Sequence, residues 1–251
     1  MNRGRKAQVT IFIILALIII IGVLVYFVIK GNFNSNPSED SKYNSVPDYV
    51  KFCLKDSLTA AIYFNAMQGG YFVSPNNSIE YNYLLIPIYW KNNQSSMISQ
   101  DELKNQLELA IKTLTENCVG NFDEFTKKGY NITSNEIQNV TVNIKDNSIS
   151  AKINFPIFSK LGETTNEYSN FEESSNFKLL EKYNIIKQAI NLQGLTPNDI
   201  PITQYSEIAY DNNIQFEILQ LDNSTFLYSF AFPEKELNIN YTYAFIGQYQ
   251  K

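Results

Sequence analysis

Residues 140–157 read VTVNIKDNSISAKINFPI. Val140, Val142 and Ile144 alternate with polar residues; after Asp146-Asn147, Ile149, Ala151, Ile153, Phe155 and Ile157 alternate again. A period of two puts every apolar side chain on one face of an extended chain, and Asp-Asn between two such runs is turn chemistry. The stretch predicts an antiparallel hairpin with one buried face. Helical patterns flank it on both sides, without a regular strand–helix alternation. That order reads as α+β, with about three helices and an antiparallel sheet.

Towards the N-terminus, Ser99 and Glu102 form a capping box ahead of the stripe Leu103, Leu107, Ala110, Ile111, Leu114 and Cys118, which predicts a helix. Residues 71–90 look extended, and Pro87 suggests an edge strand or a strand end. An earlier helix is expected over 46–67, where Val50, Cys53, Leu54, Ser57, Leu58, Ala61 and Ile62 share one stripe. Pro47 suits its first turn and Gly69-Gly70 stop it. Those glycines lack the spacing of nucleotide-binding loops and read as a helix-to-strand turn.

Towards the C-terminus, a third helix is expected over 177–192, opened by Ser174 and Ser175 and ended by Gly194. Ile214, Phe216 and Ile218, a turn at Asp222-Asn223-Ser224, then Phe226, Tyr228, Phe230 and Phe232 form further alternating strands, and 241–249 a last one. The aromatic run reads as sheet core; a carbohydrate-binding aromatic face is the alternative. With 17 Tyr and 17 Phe against one tryptophan, Trp90, large rings supply much of the packing volume.

Residues 9–29, VTIFIILALIIIIGVLVYFVI, bounded by Val9 and Ile29, carry no charge. At 1.5 Å per residue such a helix spans about 31 Å, the thickness of a hydrocarbon core. The expectation is a transmembrane helix in contact with membrane lipid. Arg3, Arg5 and Lys6 precede it, so the positive-inside rule leaves the N-terminus in the cytoplasm and sends the rest out. The expected organisation is a cytoplasmic basic segment at 1–8, a membrane helix at 9–29, a polar linker at 30–45 and an extracytoplasmic α+β domain at 46–251. The expected location is the cell membrane, single-pass.

The net charge of −5 is unevenly spread. Beyond residue 30 there remain 16 basic residues against all 25 acids, a net of −9. An acidic domain without a basic stripe excludes nucleic acid as the partner. The chain has no histidine, which removes Ser-His-Asp and Cys-His catalysis and the zinc-protease motif. No cofactor motif or calcium loop is present. Asp101, Glu102, Glu163, Glu167, Glu172, Glu173, Asp211 and Asp222 are dispersed, and the adjacent pair Glu172-Glu173 points to opposite faces of an extended chain. No catalytic residue is assigned.

Cys53 and Cys118 are the two cysteines, each on the apolar stripe of its helix. In an oxidising compartment such a pair is expected to bridge; two separate buried thiols are the alternative. Asn-x-Ser/Thr sequons occur at Asn76, Asn93, Asn131, Asn139, Asn223 and Asn240, although an Asn-rich chain also generates sequons by chance. Asn76, Asn93, Asn131 and Asn223 are the glycosylation candidates; Asn139 and Asn240 lie near or in strands and are poorer ones.

Lys6-Ala7-Gln8-Val9, ahead of the apolar run, resembles the archaeal class III, or type IV pilin-like, signal. That resemblance implies a cut between Ala7 and Gln8 and an apolar segment able to pack into a filament. Pilins of this kind usually carry Glu at the fifth mature position, where this chain has Phe12. Gln68-Gly69-Gly70-Tyr71-Phe72, together with Cys53, Cys118 and the apolar run, resembles a group of exported proteins from small-genome archaea, a likeness that implies a family and no activity. Three functions follow as expectations. The first is a membrane-anchored surface protein with a structural or interaction role, meeting a cell-surface protein, a glycan or its own copies. The second is a pilin-like subunit. The third is an extracellular carboxylate-dependent hydrolase.

Overall fold

Ser45, in extended conformation, accepts the Asp48 amide through its Oγ at 3.3 Å and so opens helix α1 (Val46–Met67), with Pro47 in the first turn. Gly69 (φ +58°) and Gly70 (φ +86°) close it, the Gly70 amide returning to the Asn65 carbonyl. A methyl group on Gly69 would stand 2.5 Å from Pro87 Cγ, so this turn needs glycine for space as well as for backbone freedom.

The computed structural model describes residues 43–234 and 239–250. The described residues form one compact unit. The expected membrane helix at 9–29, Ala7 and Gln8, and residues 30–42 of the linker lie outside the described residues. Among the described residues no helix is long and apolar enough to cross a membrane.

The remaining helices are α2 (Gln100–Val119), the single turn α3 (Asp123–Thr126), α4 (Leu179–Leu195) and α5 (Ile202–Asp211). The first sheet contains β1 (Ser78–Tyr81), β2 (Leu84–Lys91), β3 (Gln94–Ser95), β8 (Gln215–Gln220), β9 (Thr225–Glu234) and β10 (Ile239–Gln248). Its order is β1-β2-β10-β9-β8, with β3 also on β2. The second contains β4 (Asn131–Ser134), β5 (Asn139–Lys145), β6 (Ser148–Leu161) and β7 (Thr164–Ser175), with β4, β5 and β7 all pairing with β6.

The expected fold class needs correction. No membrane-crossing helix is found among the described residues, and these hold four helices of ten or more residues rather than about three. There are two sheets, and the first is mixed: β10 runs parallel to β2 and antiparallel to β9. A parallel pair needs a crossover connection, and the long stretch of chain between β2 and β10 provides it. Pro87 is not on an edge strand. Ile88 N donates to Asn77 O on the β1 side, so the Pro87 nitrogen faces β10, whose pairing with β2 begins only at Ile88. No ladder bond is asked of it. Ser174 and Ser175 finish β7, paired with Ser150 and Ile149, and do not cap a helix. Gly194 lies inside α4. The stop is Thr196, which precedes Pro197 and leaves the helical region (φ −128°, ψ 68°).

Helix α1 touches β7 and β6 of the second sheet and β10 of the first. Burial follows from that position: ten of its side chains, from Val46 to Ala66, are inaccessible. The second sheet turns Ile149, Ala151, Ile153, Phe155 and Ile157 inward. The first presents rings: Tyr89 stacks on Phe245 at 5.4 Å, and Phe245 on Tyr228 at 5.1 Å and Phe230 at 6.1 Å. Each ring buries large apolar area and adds about 0.5–1.5 kcal/mol per pair beyond that burial.

Candidate functional site

Cys53 and Cys118 are joined, with S–S 2.11 Å and Cα–Cα 5.6 Å, linking the middle of α1 to the last turn of α2. Tyr49 Oη donates to the Cys118 carbonyl at 2.8 Å and holds the same corner. The bond uses both cysteines of the chain.

The acids do not converge. Asp101 and Glu102 sit in the first turn of α2, Glu167, Glu172 and Glu173 along β7, and Asp211 at the end of α5. Glu172 is exposed while Glu173 turns inward beside Ala151. The Asp222 carboxylate accepts the Ser224 and Thr225 amides at 2.8 and 2.9 Å, so it caps the β8–β9 turn. Those hydrogen bonds, the Ser224 amide first, hold its pKa below the usual carboxylate value. Among the described residues no group of three or more Cys, Asp or Glu could hold a metal ion.

The capping box forms in half: Glu102 N donates to Ser99 Oγ at 3.1 Å, while the Glu102 carboxylate accepts from Gln106 instead. Gly69 and Gly70 make the helix-to-strand turn, and the Gly69 carbonyl accepts from the buried Tyr89 hydroxyl. Tyr228, Phe230 and Phe232 are at most 4% exposed, so the aromatic alternation is core and offers no platform to a ligand.

Two buried polar networks tie the first sheet to the helices. Tyr243 donates to Tyr89 at 2.9 Å, and Tyr89 in turn to Gly69. Gln193, 1% exposed, is the hub of the other. Its Oε1 accepts Tyr249 Oη at 2.6 Å and Tyr205 Oη at 3.2 Å, and its Nε2 donates to the Thr196 and Asp199 carbonyls at 2.9 Å each. Tyr228 donates to Tyr249 and extends the chain. Burial raises the pKa of Tyr89, Tyr205, Tyr228, Tyr241 and Tyr243, and pushes Tyr249 up to about 12. These phenols are held neutral, and all but Tyr241 act as donors in the two networks. Lys182 and Glu234 pair at 2.7 Å, the ammonium lying 4.7 Å from the Phe177 ring centre.

Among the described residues, a concavity of about 450 Å³ opens to solvent between the segment before α2 and the middle turns of α4, with Met97, Ser99, Gln100, Lys187 and Asn191 around Tyr183. The Tyr183 hydroxyl is engaged by the Ile98 carbonyl at 2.9 Å. This cleft holds one cation, amides and hydroxyls, and no acid to pair with them. Two smaller hollows, about 370 and 190 Å³, lie on the outer face of the second sheet along β6. Sequence reasoning misses Gln193 and the cleft, because both arise from α4 meeting elements distant in the chain. The hollows have a sequence signal: in 131–133 and 139–141, Asn and Thr occupy alternate positions.

All four sequons first favoured have exposed asparagines: Asn76 before β1, Asn93 in the β2–β3 turn, Asn131 at the start of β4 and Asn223 in the β8–β9 turn. Asn139 and Asn240 are exposed as well. Comparison of the chain with protein-family models, with curated proteins and with solved structures finds no match in any of the three. The concavities themselves are lined largely by amides and hydroxyls beside single lysines.

Proposed function

We propose that this chain is an exported surface protein, held at the outer face of a membrane by the apolar run of residues 9–29, whose α+β domain has a structural or interaction role. The observation that carries the reading is the Cys53–Cys118 bond, since disulfides persist in oxidising compartments outside the cytoplasm. The basic flank Arg3, Arg5 and Lys6 supports the same orientation. The cleft beside Lys187 and Tyr183 is the contact surface of this reading, with polar groups on its rim and an anchored ring at its floor.

The pilin-like reading rests on Lys6-Ala7-Gln8. Against it, α1 starts at its own cap, Ser45, in extended conformation, whereas a pilin's first helix runs unbroken into its head domain. The test is protease treatment of intact cells, followed by mass analysis of the protein from their membranes. Digestion of the domain without lysis is expected. Protection until lysis would overturn export. A mature N-terminus at Gln8 would move the assignment to the pilin-like subunit.

A further inference from the structure

In a β-strand, residues i and i+2 share a face, so an Asn-x-Thr sequon within a strand sets its amide and hydroxyl side by side. Two sequons of this chain do so on the outer face of the second sheet. Asn131 and Thr133 on β4 line the smaller hollow, and Asn139 and Thr141 on β5 line the larger. The middle residues, Ile132 and Val140, turn the other way: Val140 is 9% exposed. Asn139 Nδ2 lies 3.5 Å from Thr141 Oγ1. Both strands pair with β6 alone, so no further strand flanks them.

The other sequons are differently engaged. Thr225, the hydroxyl residue of the Asn223 sequon, is 1% exposed. Ser78, which serves Asn76, donates to the Pro75 carbonyl at 2.7 Å. Asn240 lies on β10 of the first sheet, paired with Pro233 of β9, and so away from the face that Asn131 and Asn139 share. Ser95, which serves Asn93, accepts the Met97 amide at 3.4 Å.

The hollows also hold groups that need a partner. Asn154 stands in register between Asn139 and Asn170, and its Oδ1 is buried without a hydrogen bond among the described residues. A buried acceptor of this kind calls for a donor. Lys152 borders the same hollow, and the Phe158 ring, 41% exposed, borders the other. A hydroxyl-rich ring supplies donors for Asn154 and an apolar face for Phe158.

We propose that Asn131 and Asn139 are N-glycosylated and that the outer face of the second sheet is the glycan-bearing face, each first sugar seated in the hollow beside its asparagine. The inference rests on the export reading. The donor is an oligosaccharide linked to a lipid phosphate. Its anomeric carbon–oxygen bond to phosphate breaks, the phosphate leaves with the bonding electrons, the carbon bonds to Asn Nδ2, and one Nδ2 proton passes to a base.

The experiment uses the full chain purified from its native membranes. Trypsin cuts after Lys128 and Lys145, so one peptide, residues 129–145, carries both asparagines. The expected result is that peptide with two glycan increments, reduced to one by Asn131→Gln or by Asn139→Gln and to none by both. Seating predicts that Lys152 reacts with an amine reagent several-fold more slowly in the glycosylated chain than in the double variant. An unmodified peptide overturns the inference, as do glycans found only at other sequons. Surface protease digestion of the same cells tells whether export falls with it. Equal Lys152 rates overturn the seating.

Discussion

Reducing the Cys53–Cys118 bond should lower the stability of the domain without dismantling it. The bond closes a loop of 65 residues. With that length the loop-entropy relation gives about 15 cal/mol/K, or about 4 kcal/mol at 25 °C. Helices α1 and α2 pack along buried stripes that do not depend on the sulfurs, so the folded state keeps its contacts and the loss comes through the freed unfolded chain. For a domain of about 200 residues a loss of that size lowers the midpoint of thermal unfolding by about 10 °C. The assay is equilibrium urea unfolding of the full chain, oxidised and reduced, followed by circular dichroism. Reduction is cleaner than substitution, because Cys53 is fully buried and its truncation would add a cavity. The denaturant slope should rise on reduction, since an uncrosslinked chain exposes more surface when unfolded. A difference below about 1 kcal/mol would refute the loop argument. Failure of the reduced chain to fold at all would refute the claim that the helix packing stands without the bond.

Gln193→Ala strands two buried phenols and two carbonyls; at about 1–3 kcal/mol for each group left unpaired, partly offset by relaxation, a loss of about 3–5 kcal/mol is expected in the same urea assay. Lys182→Met leaves Glu234 facing the core alone and should cost about 2–3 kcal/mol, most of it recovered in Lys182→Met/Glu234→Leu; a double variant as unstable as the single would contradict this. Gly69→Ala combines a positive φ with collision against Pro87 and should cost about 2–4 kcal/mol, read as a lower unfolding temperature. Alkaline pH should unfold the domain steeply. The buried tyrosines have folded pKa values above the unfolded value of 10, so the folded state holds more protons there; their contribution is complete below pH 10 and is lost as pH rises through the folded values. Each phenol contributes a slope of about 1.4 kcal/mol per pH unit, so tyrosinate absorbance should appear together with loss of helix signal; gradual ionisation of a folded protein would refute this.

Local chemistry was legible in the sequence where a single segment contains its own cause. The hairpin at 139–161 turns where Asp146-Asn147 predicts, and α1 holds Pro47 in its first turn and ends at its glycines because those signals lie within or beside it. β7 was not legible. Its residues 164–175, TTNEYSNFEESS, are mostly polar, and pairing with β6 makes it a strand. The parallel seat of β10 was equally hidden, because register between distant strands is settled by packing. The disulfide partners could be named because there are only two cysteines. The outward row on β4 and β5 was printed as alternate Asn and Thr, but gains meaning only once β6 shows which face is outward.

β10 is both the last strand and an inner one: it lies between β2 and β9, and Gln250, just beyond it, reaches back to Asn92, 158 positions earlier. Contacts of such separation form late, since a long loop must close before they bring any gain. A nascent chain that has not yet reached residues 239–248 therefore has a first sheet split in two, with β2 and β9 each missing a neighbour. A stop codon ahead of residue 239 would remove the strand that joins β2 to β9 and leave both halves of the first sheet with an open edge.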